Sequence, residues 1–350
     1  MALSVKRYPF TAIAGLRRAK TALVLNIINP DIGGVLLRGE KGTGKSLLVR
    51  SIDEVLPEID VFEGCRFNCD PGQEQRCADC RGLEKEGKQQ KVERRKMRIV
   101  NLPLNVSEDR LLGAIDLEKV LTEGIAAFEP GLLAQAHRNV LYIDEVNLLD
   151  DAIIDVLMDV AAMGVITVER EGISISYPSK FVLVGSMNPE EGEIRPQFLD
   201  RLALLGESDT VKQPEERSDM LRALMDFEYD YPAFQRKFEP EQAKLRDTLR
   251  RSRELIPQVK IPMRMFALIA KIGIEFNVDG HRADIIIERA SKAHAALNNR
   301  KEVTDEDVTV AAELTLPHRM RKQPFEEAQF NVDVLKRLVA KYLKELSGQV

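Results

Sequence analysis

The chain has 350 residues, 44% hydrophobic and 31% charged, which is length for two domains and the composition of a globular protein. No run approaches the ~18 consecutive apolar residues of a membrane span, and the opening residues lack an apolar segment of signal-peptide length, so a cytoplasmic setting is expected. A net charge of −5, from 51 Lys and Arg against 56 Asp and Glu, argues against a surface built chiefly to bind nucleic acid.

Residues 1–214 alternate short β-branched runs with helical patterns, the signature of an α/β core around a mostly parallel sheet. Gly34 to Arg38 reads as a buried strand and Lys45 to Leu56 as the helix that follows it. Next comes a cysteine-rich insert over about 63–98, which holds all four cysteines of the chain at Cys65, Cys69, Cys77 and Cys80. Four soft thiolates within sixteen residues suffice for a tetrahedral zinc site or an iron–sulfur cluster, with a redox switch or no shared role as the other readings. Lys85 to Arg98 then carries seven basic residues against two acidic ones. With no aromatic platform beside it, this run reads as a solvated arm or a patch for an acidic partner rather than a nucleic-acid site.

Further core strands are predicted at Arg98 to Leu102, Val140 to Ile143 and Phe181 to Gly185. Between the last two, Val165 to Arg170 and Ile173 to Tyr177 straddle Glu171-Gly172 as an antiparallel hairpin. Residues 215–350 turn almost wholly helical, with candidates at Arg217 to Phe227, Glu241 to Leu255, Met263 to Phe276, Arg282 to Leu297 and Asp305 to Leu316. The last of these starts with a capping-box pattern, Thr304 and Asp307. A final helix carries Leu335, Leu338, Val339, Tyr342, Leu343 and Leu346 on one face, as a helix closing a bundle does.

The residues Gly39, Glu40, Lys41, Gly42, Thr43, Gly44, Lys45 and Ser46 fit G-x-x-x-x-G-K-[ST] between a predicted strand and a predicted helix, where a phosphate-binding P-loop belongs. Its glycines let backbone amides wrap phosphates, Lys45 reaches the β/γ-phosphates of ATP, and the Ser46 hydroxyl ligates Mg²⁺. Asp144 and Glu145 end a later apolar strand, where open α/β sheets bind ligands. Asp144 suits the Mg²⁺ water shell and Glu145 the polarisation of an attacking water. Asn188 ends a third strand and is placed to orient that water or sense the γ-phosphate, or else simply starts a turn. Arg201, after a short helix, reads as an arginine finger for a neighbouring subunit or a surface ion pair, and Arg282 as a clasp over the nucleotide from the second domain or a surface charge.

In this order, followed by a helical domain, the motifs resemble the AAA+ ATPases. The segments Pro9 to Gly15, Ser107 to Gly113, Phe128 to Leu133, Leu141 to Asn147, Gly185 to Gly192 and Ile194 to Arg201 narrow the likeness to the subunit I family of magnesium chelatases, over nearly the whole chain. The resemblance implies a P-loop AAA+ core with hairpin insertions and an all-helical lid. It places Asn188 at sensor 1, Arg201 at the arginine finger and Arg282 at sensor 2, makes about 104–128 a helix-2-type insert, and makes the hairpin around Glu171 to Ser174 the insertion before sensor 1. It also implies a hexameric ring driven by ATP and Mg²⁺, joined by an AAA+-like subunit with an integrin-type domain and by a large catalytic subunit that inserts Mg²⁺ into protoporphyrin IX. The sequence departs from the family in having Leu16 after Gly15, where members usually carry Gln, and in its cysteine insert. Alternatives are a cobalt chelatase motor, a MoxR-type chaperone, a nucleic-acid remodelling ATPase using the basic run, and a nucleotide-binding scaffold, which an intact Glu145 disfavours.

Overall fold

The apolar runs of the first half meet in one five-stranded parallel sheet in the computed structural model, which describes residues 6–116, 127–170, 173–208, 213–278, 280–320 and 330–347. The helix Arg17–Ile28 (α1) leads to the strand Gly34–Arg38 (β1), the helix Lys45–Ile52 (α2) and the strand Glu58–Phe62 (β2). The helix Ala78–Lys85 (α3) precedes the strands Val92–Lys96 (β3) and Ile99–Leu102 (β4). After the helix Glu108–Leu112 (α4), the strands Gly113–Asp116 (β5) and Ala127–Pro130 (β6) pair as a hairpin. The helix Leu132–Ala136 (α5), the strand Val140–Ile143 (β7) and the helix Asp151–Met163 (α6) follow. A second hairpin, Val165–Arg170 (β8) with Ile173–Pro178 (β9), leads to Val182–Met187 (β10), the short helix Pro196–Leu199 (α7) and the strand Leu204–Glu207 (β11). The expected turn at Glu171-Gly172 and positions 117–126 of the expected insert lie outside the described residues.

The strand order is β11-β1-β10-β7-β4, and every pairing is parallel. Parallel sheets are covered on both faces, and β7 and β10 are buried at every position. Alternation then assigns residues to two cores. Val35, Leu37, Val140, Tyr142, Val182, Val184 and Leu204 face a core shared with α1 and the carboxyl-terminal helices. Leu36, Leu141, Ile143, Leu183 and Leu205 face the other, shared with α6, both hairpins and the cysteine loop.

Several boundaries differ from expectation for local reasons. The helix expected to reach Leu56 stops at Ile52, because Leu56 precedes Pro57 and the proline ring disfavours helical backbone there. The basic run is not a solvated arm. Its residues 92–96 form β3, which pairs antiparallel with β2, and Arg94 faces Asp60 at 3.6 Å.

The helical half comprises Pro214–Tyr229 (α8), Tyr231–Leu255 (α9), Met263–Glu275 (α10), Arg282–Leu297 (α11), Asp305–Thr315 (α12) and Val332–Ser347 (α13). α9 runs through Pro240, where the sequence suggests a start at Glu241. Burial of Phe234, Gln242, Leu249 and Ser252 along one face outweighs the lost hydrogen bond. At the start of α12, Asp307 is fully buried and accepts from Thr304 N (2.8 Å) and Arg300 (2.6 Å) and pairs with His294 (2.6 Å). Burial would raise its carboxyl, but these partners outweigh it and hold it below the usual range. In α13, Leu335, Val339 and Tyr342 are buried, while the side chain of Leu346 lies outside the described residues. Among the described residues, no helix is long and apolar enough to cross a membrane.

Candidate active site

β1, β7 and β10 run side by side and in the same direction, so their carboxyl ends open on one crevice. The loop leaving β1 curls tightly into α2. Gly44 takes φ +86°, a left-handed conformation that side chains resist, and a Cβ on Gly39 would collide with Ser208. The Lys45 ammonium donates to the carbonyls of Gly39 (2.6 Å) and Glu40 (2.7 Å), while Thr43 Oγ1 meets Ser208 Oγ at 2.6 Å. Burial lowers the Lys45 pKa, against the opposing pull of Asp144, Glu191 and Glu145.

Asp144 is the hub of the crevice. Ser46 Oγ stands 3.2 Å from both of its carboxylate oxygens, Tyr142 donates at 2.8 Å, and the Ser186 hydroxyl donates to Oδ1. Burial pushes this carboxyl up, but the three hydroxyl donors outweigh it and hold Asp144 ionised below its ordinary range. Desolvation pushes the Tyr142 phenol up to about 12, so it stays a donor. Ser186 also accepts from the Glu145 amide at 3.2 Å, and Glu145 sits at φ +55°, a strained conformation for a non-glycine residue. Asn188 is buried, and its side-chain oxygen accepts from Glu190 N at 3.3 Å. Lys41 to Leu47, Asp144, Glu145, Ser186, Asn188 and Glu191 line one cavity of about 320 Å³.

Arg201 and Arg282 are not in that cavity. Arg201 precedes β11, and its carbonyl accepts from Gly34 N at 3.2 Å, so it lies at the amino edge of the sheet, where β1 begins. Arg282 joins it there, along a second cavity of about 840 Å³ that also takes in Arg253, Arg289 and Lys180. Asp200 is clasped by both Arg282 and Arg319, whose charges outweigh burial and hold its carboxyl below the usual range. β1 therefore stands between Arg282 and the loop cavity of the same chain, and Arg282 pairs here with Asp200.

The four cysteines do converge. All are buried, and their sulfurs lie within 4.8 Å of one another. Tyr142, Ser186, Ser208 and Arg319 are the residues that sequence reasoning missed. Ser186 could have been found, since it stands two residues before Asn188 at the end of a strand, whereas nothing local marks Arg319, 119 positions from Asp200.

A family model described as "Magnesium chelatase, subunit ChlI" matches residues 106–197, and one described as "AAA lid domain" matches residues 266–338. The magnesium-chelatase subunit ChlI homolog of Methanocaldococcus jannaschii is 50% identical over 338 residues, covering 97% of this chain and 92% of the relative. The magnesium-chelatase subunit ChlI of Nostoc is 48% identical over 320 residues, covering 91% of this chain and 86% of the relative. Among solved structures, one of the complex between subunits BchI and BchD of magnesium chelatase matches with a TM-score of 0.52 at 39% identity, covering 91% of this chain and 98% of the other. A protein from Cytophaga hutchinsonii shares the fold, with a TM-score of 0.58 at 17% identity over 95% of this chain and 90% of that one. The α/β core with its helical lid and the identity along the chain agree: this chain belongs to the ChlI family, the AAA+ ATPase subunits of magnesium chelatases.

Proposed function

We propose that this chain is the ATP-hydrolysing motor of a tetrapyrrole metal chelatase, driving a separate large subunit that inserts Mg²⁺ into protoporphyrin IX. The observation that carries the reading is the division of the ATP machinery between two edges of one sheet, with Ser46, Asp144 and Glu145 in one cavity and Arg201 and Arg282 in another. One chain holds two half-sites. Copies in a closed ring, a hexamer by family resemblance, complete a site at every interface.

The cavity suits ATP with Mg²⁺: an ionised carboxylate and a hydroxyl 3.2 Å apart are hard oxygen donors, and the loop amides before α2 suit phosphate. When bound, the ion neutralises charge on the transferred phosphoryl group. The backbone from Gly39 through Gly44 forms the cradle, and Lys45 exchanges its two carbonyl partners for phosphate oxygens. Ser46 and Asp144 hold the ion, Tyr142 and Ser186 fix the Asp144 carboxylate, and Glu145 polarises the attacking water. Asn188 orients that water or senses the γ-phosphate. Arg201 reaches the phosphates of the neighbouring copy, and Arg282, beside it at the start of α11, ties the lid at 215–350 to the core at 1–214.

In this reading the ring works in the cytoplasm with an integrin-domain AAA+-like subunit, as the BchI–BchD complex suggests by analogy, and the cysteine cluster is an additional metal centre, zinc or iron–sulfur. The test is reconstitution with candidate large and integrin-domain subunits. ATP-dependent Mg²⁺ insertion into protoporphyrin, absent with Glu145→Gln, is expected. Cobalt insertion into a corrin precursor instead, or no insertion despite active ATP turnover, would overturn the assignment.

A further inference from the structure

Resting on the reading of the four cysteines as a metal centre, we infer that its ligand is a single zinc ion in a closed all-sulfur site, which braces both hairpins against the sheet. The Sγ atoms of Cys65, Cys69, Cys77 and Cys80 all lie within 4.8 Å of one another. Cys65 Sγ is 3.5 Å from that of Cys80 and 4.0 Å from that of Cys77. A tetrahedron with zinc–sulfur bonds of ~2.3 Å has sulfur–sulfur edges of about 3.8 Å, midway between those two separations. An iron–sulfur cluster would set several irons and bridging sulfides between the thiolates, and this cage is too tight for them.

Buried cysteines also serve as small apolar residues, but this loop aims a backbone donor at one of its sulfurs. The Cys77 amide donates to Cys69 Sγ at 3.2 Å. Such a bond stabilises a thiolate and fixes its direction, as supporting bonds do around metal ligands. The backbone is shaped to match: Gly64 and Asn68 take positive φ (75° and 50°), turning the chain back so that Cys65 and Cys69 converge. α3 starts from Cys77 and brings Cys80 round to the same side one turn later. Four thiolates and one Zn²⁺ leave a net charge of −2, and Arg95 of β3, itself paired with Glu93, fixes the loop beside it by donating to Cys65 O at 3.1 Å and Asn68 Oδ1 at 2.6 Å.

Four protein ligands leave no open coordination position, so the ion holds structure and does no chemistry. What it holds follows from the contacts of the loop. The Phe67 ring packs on Tyr177 of β9, with centroids 5.1 Å apart, and Tyr177 packs on Phe128 of β6 at 5.7 Å. Arg66 donates to Phe128 O at 3.0 Å, and Asn68 donates to His137 O, at the end of α5, at 3.2 Å.

The test begins with the full chain purified under reducing conditions without added metal. Elemental analysis should give one zinc per chain with neither iron nor acid-labile sulfide, and exchange into Co²⁺ should give the intense visible bands of tetrahedral cobalt with four thiolates. Cys69→Ser should lose the zinc, and the cobalt spectrum of the unsubstituted chain decides the matter even where that variant misfolds. Removing zinc by chelation should speed amide exchange in β5–β6 and β8–β9. Iron with sulfide in place of zinc, or cobalt bands of mixed oxygen and sulfur ligation, would overturn the zinc assignment alone. No metal and no cobalt–thiolate spectrum would sink the metal centre altogether, and unchanged exchange after zinc removal would refute the brace.

Discussion

Chains carrying Arg201→Ala and chains carrying Lys45→Ala should each be inactive alone and recover ATP turnover when mixed. Arg201 lies where β1 begins and the P-loop starts where β1 ends, so five residues at a rise of about 3.3 Å put about 16 Å of strand between them. That exceeds the reach of an arginine side chain, so within one chain Arg201 cannot touch the phosphates. Loss of an arginine finger costs ~10³–10⁵ in turnover, or about 4–7 kcal/mol of transition-state stabilisation. In a randomly assembled equimolar ring, a site works only where an intact P-loop meets an intact arginine, which is half of one half, about one quarter of interfaces. Phosphate release, followed across mixing ratios at fixed total protein, should peak near equal proportions at about a quarter of the unsubstituted rate. Native mass spectrometry would report whether mixed rings form. Mixed rings that assemble and stay inactive at every ratio refute the placement of the finger across the interface.

Three further predictions concern single positions. Glu145→Gln should keep nucleotide binding, read with a fluorescent ATP analogue, while turnover falls by ~10²–10⁴; undiminished turnover would remove Glu145 from the chemistry. Ser186→Ala takes one hydroxyl donor from Asp144 and leaves burial less opposed, so the carboxyl should protonate at higher pH. Because the folded pKa of Asp144 is depressed, the benefit of its ionised form is full above the unfolded pKa and is lost as pH falls through the folded one. The acid limb of the pH–ATPase profile should therefore move to higher pH, and an unmoved limb would contradict the hub role of Ser186. Asp307→Ala should strip Arg300 and His294 of a fully buried partner and cost ~3–5 kcal/mol, seen as a lower Tm with the ATP cavity intact. The unsubstituted chain should itself become less stable as pH falls through the depressed Asp307 pKa, and a loss well under ~1 kcal/mol in the variant would mean the cluster contributes little.

The phosphate cradle was legible because its chemistry is contiguous. Backbone amides, Lys45 and Ser46 all act from one turn, so their spacing is set by the chain itself. Asp144 and Glu145 were legible for a related reason: a strand end fixes where its last residues point, and β7 lies two strands from β1 in the sheet. The cysteines were legible as a group but not as a geometry, since the convergence of four sulfurs depends on the positive φ at Gly64 and Asn68 and on the capping of α3 by Cys77. The basic run misled because a count of charges carries no pairing information, and β2, its partner, has exposed acidic residues among buried apolar ones. Pro240 misled in the opposite sense, as burial along α9 overrode a local helix breaker.

By itself, then, the sequence determined the core strands, the main helices of the second half and the candidate side chains for nucleotide chemistry, because hydrophobic period, turn residues and motif spacing are properties of neighbouring residues. Only the tertiary structure decided which of those side chains share a site. The order β11-β1-β10-β7-β4 puts Ser46, Asp144, Glu145 and Asn188 at one edge of the sheet and Arg201, Arg282 and Arg319 at the other. The direction of five parallel strands fixes that separation, and contacts between residues more than a hundred positions apart, such as Arg319 with Asp200, leave no mark in local sequence.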